Sequence, residues 1–195
     1  MAPATETGEI DMIKRVFKWF YDFEREEIWL NDMAAQGWHM QSFFLGLYEF
    51  KEGEPGEYIY RLELLPQRAA HYESHKYFRF LEETGVEIVS AWVRWVYYRR
   101  KAEEGAFDIY SDVDSRIKHY RRVYHLFIPV SVLLLSQIPL QVINFVNMSS
   151  RGYAYAWIFL LIIGLDILLG SATMKAAWKS WRQAKKLENE KKLRE

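Results

Sequence analysis

The sequence predicts an α+β protein: a two-layer antiparallel sheet with two helices, in the order α-β-β-α-β-β, followed by a transmembrane α-helical hairpin. Two observations carry this. Charged side chains are almost absent between Leu126 and Met174 and dense on either side. Upstream, two helical patterns that end at glycine alternate with runs of strand-forming residues. The chain of 195 residues has 26 Lys plus Arg and 26 Asp plus Glu, so its net charge of zero conceals a three-part layout. It has no cysteine, which excludes disulfides and cysteine metal sites.

Residues 1–14 are read as a disordered N-terminus. Met1 to Asp11 lack the basic-then-apolar order of a secretory signal, so the domain that follows, 15–110, is expected to stay in the cytoplasm. Asp22 to Gln36 reads as a helix with Phe23, Leu30, Met33 and Ala34 on one broad face and Gly37 at the C-cap. Trp38 to Phe50 and Tyr58 to Leu64 read as strands on either side of a Gly53-Glu54-Pro55-Gly56 hairpin turn. His71 to Thr84 is helical up to Gly85, and Val86 to Arg99 is strand-like with a break near Ser90-Ala91. The two helices are expected to cover one face of the sheet.

Residues 111–125 form a juxtamembrane linking helix. Ser111 and Asp114 have capping-box spacing, and Val113, Ile117, Tyr120, Tyr124 and Phe127 recur at four-three-four-three intervals. This helix is read as a rigid joint, a relay or a homodimer contact, and its basic residues suit anionic lipid headgroups.

The spans are placed at 126–148 and 153–174, since a helix needs ~20 apolar residues to cross ~30 Å of hydrocarbon. As a buried hairpin of a soluble protein, the pair would need a larger surrounding chain than this one provides. Prolines 129 and 139 predict a kink. Arg116, Lys118, Arg121 and Arg122 precede the first span, Lys175, Lys179 and Arg182 follow the second, and Arg151 alone occupies the link. Both termini are therefore expected in the cytoplasm of a two-span cell-membrane protein, with 175–195 as a basic helical tail and Trp178 and Trp181 at the interface.

Gln137, Gln141 and Asn144 share one face of the first span, and Asp166, Gly170 and Thr173 share one face of the second. Folding the pair about its link brings Asp166 level with Ser136 and Gln137. A hydrogen bond from the Gln137 amide would offset an insertion penalty of about 2.5–3.5 kcal/mol for the carboxyl. Asp166 is read as polar glue within the hairpin or a homodimer, with a proton or ligand group, or a polar contact with another membrane subunit, as the functional alternatives.

Glu24 with Trp29-Leu30-Asn31-Asp32-Met33-Ala34-Ala35-Gln36-Gly37-Trp38-His39-Met40 resembles the opening motif of domain-of-unknown-function family 2812. Phe50 to Pro55 with Tyr58 to Arg61, and Ile109 to Asp112, resemble its later segments. The resemblance implies a membrane-attached domain of Gram-positive bacteria, often encoded near PadR-type transcription regulators, with no established reaction and no catalytic residues. The chain has Gly85-Val86 where the family usually has Gly-Trp, so no role for that tryptophan is carried over. Trp29, Met33, Gly37 and Trp38 are read as a helix-turn-strand packing unit, with a peptide or ligand groove as the alternative.

No nucleotide-binding or nucleophile motif is present. His71 and His75 lack a third metal ligand, and Asp22, Glu24, Glu26 and Glu27 suit a helix N-terminus without forming a catalytic pair. Trp92, Trp95, Tyr97 and Tyr98 could stack nucleic-acid bases, but no accompanying motif supports this, and none is expected to bind. The expectation is a non-enzymatic interaction or sensory module without cofactor or metal. Its partners are membrane lipids and a protein, either a regulator or a membrane protein. The alternatives are an accessory subunit of a transporter or exporter, using Asp166, Gln137 and Asn144, and a membrane-tethered enzyme.

Overall fold

The computed structural model describes residues 12–110 and 112–193. The expectations for residues 1–11 and for a cap at Ser111 lie outside them. The chain divides into two compact units, Met1–Ile109 and Tyr110–Glu195.

The first unit is α+β, built on two three-stranded antiparallel sheets. Its elements are β1 (Ile13–Phe17), α1 (Phe23–Ala35), β2 (Trp38–Phe44), β3 (Leu47–Glu52), β4 (Tyr58–Leu64), α2 (Tyr72–Glu82), β5 (Glu87–Trp92) and β6 (Trp95–Lys101). One sheet has the order β1-β3-β2 and the other β4-β6-β5. The sequence reading differs from this in several places.

Residues 13 and 14, assigned above to the disordered terminus, begin β1, which pairs with β3 from Ile13↔Lys51 to Phe17↔Leu47. An edge strand containing Lys14 and Arg15 has a weak apolar pattern and is defined by its partner. Trp38 to Phe50 is two strands, reversed at Leu45-Gly46, where both residues have positive φ, +46° and +81°. A two-residue hairpin loop demands that geometry, and leucine does not announce it as asparagine would. Gly53-Glu54-Pro55-Gly56 closes no hairpin, since β3 pairs with β1 and β2 while β4 pairs with β6. The segment instead caps α1: the Gly56 N–H donates to Ala34 O (2.8 Å) and the Gly53 N–H to Gly37 O (2.8 Å). Gly37 is obligatory at this crossing. Its φ is +83°, and a Cβ there would lie 2.7 Å from Gly53 O. The break between β5 and β6 falls at Val93-Arg94, with a register shift between Ile88 and Ser90.

The two helices lie on opposite faces of the second sheet, not on one. Leu30, Met33 and Ala34 of α1 join Met40, Tyr48, Phe50, Tyr60, Leu62 and Tyr97 in one core. Leu81 of α2 joins Val86, Val96, Tyr98 and Phe107 in another. Tyr97 alternates with Val96 and Tyr98 along β6, so the period of two divides the cores.

α1 starts at Asp22, whose carboxylate accepts the Glu24 N–H (3.1 Å). It then holds both sheets by side chains. Glu26, buried, accepts hydrogen bonds on one oxygen from Tyr48 of β3 and Tyr97 of β6, each 2.6 Å long. Asn31 lies along the outer edge of β4, accepting from Tyr60 N–H (2.8 Å) and donating to Tyr60 O (3.1 Å), and Glu27 accepts from Leu62 N–H (3.1 Å). These side chains satisfy edge groups that a neighbouring strand would otherwise satisfy.

The second unit contains α3 (Val113–Ser136), α4 (Ile138–Ser150) and α5 (Ile158–Lys192). Asp112 caps α3, accepting the Ser115 N–H at 2.6 Å. α3 runs through Pro129 and breaks from α4 at Gln137, beside Pro139. The second apolar helix begins at Ile158, not at residue 153, because residues 151–157 are spent reversing the chain. Both helical stretches, Val113–Ser150 and Ile158–Lys192, are long and apolar enough to cross a membrane. Only 6% and 17% of their most apolar windows is buried.

Burial pushes the Glu26 carboxyl above its ordinary value of 4.5, against the two phenol hydrogen bonds that pull it down. The folded state therefore holds the Glu26 proton more tightly than the unfolded chain. Its contribution to stability is full below about pH 4.5 and is lost as pH rises through the folded value. Urea unfolding midpoints from pH 4 to 8 are expected to fall with rising pH, less steeply in Glu26→Gln; equal slopes would refute this. Asn31→Ala, which strands the Tyr60 amide while Arg61 still donates to the Tyr60 carbonyl (2.8 Å), is expected to destabilise the chain by about 1–3 kcal/mol in the same assay.

Candidate functional site

Two regions present chemistry that the fold itself does not consume. The first is the tip of the β1-β3-β2 sheet. Phe17 and Phe44 both stand opposite Leu47 in the strand register, so all three side chains share one face. Their neighbours Val16, Tyr48 and Phe43 point to the core. Phe17 is 72% exposed, Phe44 63% and Leu47 44%, and Trp19 and Leu45 are exposed beside them. Further along the same face the register pair Arg15 and Glu49 forms an ion pair at 2.9 Å, which separates the tip from the exposed Ile13 beyond it. The sequence reading missed this surface. The Phe43-Phe44-Leu45-Gly46-Leu47 run was its available signal, since a glycine within apolar residues marks a turn that must expose some of them.

The second is the seam between α3 and α5. Asp166, Gly170, Thr173, Ala177, Ser180 and Ala184 form the buried stripe of α5 at four-three-four-three-four spacing. Ser131 donates to Thr173 across the seam (2.9 Å), and a Cβ on Gly170 would meet Leu135 Cδ2 at 2.8 Å. Small residues thus let the helices approach closely. Asp166 is 9% exposed, and its buried Oδ2 carries no hydrogen bond. The expected bond from Gln137 is absent from the described hydrogen bonds. Gln137 forms the helix break, donating its N–H to Leu134 O (3.3 Å) and accepting from Gln141 N–H (3.0 Å) on its own carbonyl. Gln137, Gln141 and Asn144 are all partly buried.

The remaining candidates occupy structural positions. Trp29 packs on Tyr48 and Phe50 with ring centroids 4.8 and 5.6 Å apart, Met33 is in the first core, and Trp38 opens β2 beneath the Lys14 ammonium at 4.8 Å. His71 is the N-cap of α2, its Nδ1 accepting the Glu73 N–H at 3.2 Å. No cluster of three or more His, Cys, Asp or Glu side chains fit to hold a metal occurs among the described residues. Tyr97 and Tyr98 are buried in opposite cores, so they offer no stacking platform. His119 on α3, which the sequence reading passed over, is fully buried beside the Tyr110 ring (5.3 Å); burial, and secondarily Arg122, hold it down at about 3.

These features define a class: an α+β domain of two small sheets that continues into a pair of helices of membrane-spanning length. The sequence pattern of the family described as Protein of unknown function (DUF2812) matches residues 22–132, more than half of the chain, and the chain belongs to that family. No curated protein and no solved structure matches it.

Gly170→Val is expected to weaken the α3–α5 seam by about 1–3 kcal/mol through overpacking against Leu135. Gly164→Val, with nothing within 4 Å of the added Cβ, serves as the control. Denaturant titration in detergent checks this, and equal effects at the two glycines would count against the seam as described.

Proposed function

We propose that this protein is a non-enzymatic interaction module of the cell membrane. Its helical pair is the anchor, with both termini in the cytoplasm, and its first sheet receives a protein partner. The observation that carries the reading is the aligned, exposed apolar set Phe17, Phe44 and Leu47. Such a surface attracts apolar side chains of another molecule, and aromatic groups supply most of the affinity at such contacts. The orientation rests on the basic residues flanking the helical pair, against Arg151 alone in the link. The partner is a transcription regulator or another membrane protein.

A second reading, an accessory subunit of a transporter or exporter, is favoured by the buried and unpartnered Oδ2 of Asp166. A carboxyl oxygen held in an apolar helical pair is stabilised by any donor that a further subunit brings.

Affinity purification of the intact protein from gently solubilised native membranes separates the two. Phe17→Ser with Phe44→Ser is expected to change stability by no more than about 0.5 kcal/mol, the usual range for exposed positions. Recovery of the partner should nevertheless fall roughly tenfold, as expected when aromatic anchors are removed. Undiminished recovery from that variant would exclude the tip as the binding surface. A multi-span partner lost instead with Asp166→Leu would favour the accessory subunit.

A further inference from the structure

The cations of the helical pair are used unequally. Some are matched by carboxylates: Lys191 to Asp114 (2.8 Å), Arg121 to Glu188 (2.6 Å) and Lys186 to Glu190 (3.8 Å). Three on α5 are not. Lys175, which directly follows Met174, and Arg182 and Lys185 make no salt bridge among the described residues. The latter two lie over indole rings instead, Arg182 over Trp178 at 5.2 Å and Lys185 over Trp181 at 5.0 Å.

Lys175, Trp178, Arg182 and Lys185 recur at three-four-three spacing and so share one face of α5, with Trp181 alongside. The indoles are 59% and 43% exposed, whereas Ala177, Ser180 and Ala184 form the buried face. Two exposed indoles set beside three cations without a carboxylate are not what a merely solvated helix needs. An exposed indole is best placed where its ring meets hydrocarbon and its N–H meets water, at the level of lipid phosphates.

We propose that this face of α5 is a site for anionic phospholipid headgroups, with Lys175, Arg182 and Lys185 toward the phosphates and Trp178 and Trp181 against the upper acyl chains. A lipid leaflet satisfies both requirements, apolar contact for the rings and an anion for the cations. An acidic protein segment or a nucleic acid satisfies only the second. The inference rests on the anchored reading above and adds the chemistry of the surrounding leaflet to it.

The test uses the full chain in nanodiscs of phosphatidylcholine with a minority of spin-labelled phosphatidylglycerol, compared with spin-labelled phosphatidylcholine. The intact protein is expected to enrich the anionic label in its motionally restricted shell, and 1 M salt should reduce the enrichment by screening. Lys175→Gln, Arg182→Gln and Lys185→Gln together should lower the preference by roughly a hundredfold, at about fivefold per cation. Arg68→Gln, Lys76→Gln and Arg79→Gln, which remove the same charge from exposed positions of the first unit, should leave it unchanged. Equal preference in the first triple variant, or equal loss in the second, overturns the proposal. A chain that inserts without preferring the anionic lipid defeats this inference alone, and one that does not insert defeats the anchored reading with it.

Discussion

One oxygen atom of Glu26 joins the two sheets of the first unit. It accepts the hydroxyl protons of Tyr48 and Tyr97, each 2.6 Å away, and those tyrosines belong to different sheets. Burial raises both phenols above their ordinary range and so keeps them protonated as donors. The arrangement suits a core assembled from tyrosine and tryptophan, whose rings bury area while their polar ends need a partner. Without that carboxyl two hydroxyls would be stranded in a dry interior, where an unmade hydrogen bond is expensive.

α1 extends the same role outward. Glu27 and Asn31, one turn apart, bond to the edge of β4 at Leu62 and Tyr60. Its C-terminus is closed by Gly37, Gly53 and Gly56, which bring the β3–β4 link across it. One side-chain-rich helix thus closes a sheet edge, bridges to the second sheet and redirects the chain between them. The aromatic tip at Phe17, Phe44 and Leu47 lies on the opposite, outer face of the first sheet, where no such closure is made.

The helical pair follows a different rule. Its interior is a stripe of small and polar residues, Gly170, Thr173, Ala177, Ser180 and Ala184, which lets the two helices approach closely. Most of the apolar surface of its most apolar windows faces outward. Asp166 continues this stripe, and its carboxyl is the polar group that the pair itself does not satisfy.

The sequence alone determined the α+β class, the two apolar helices and the shared face of Asp166, Gly170 and Thr173, because each is a periodic pattern written in local order. Asp22, Gly37 and Gly85 marked helix ends for the same reason: cap chemistry is local. Only tertiary structure decided that Gly53 to Gly56 caps a helix and closes no hairpin, since that choice depends on which distant strand β4 finds. It also decided that Ile13 to Phe17 is a strand, that Glu26 is a joint between sheets and not part of a solvated acidic helix start, and that Phe17 and Phe44 meet at Leu47. Strand partners and shared faces are set by register between segments far apart in the chain, and a single strand's own residues do not specify it.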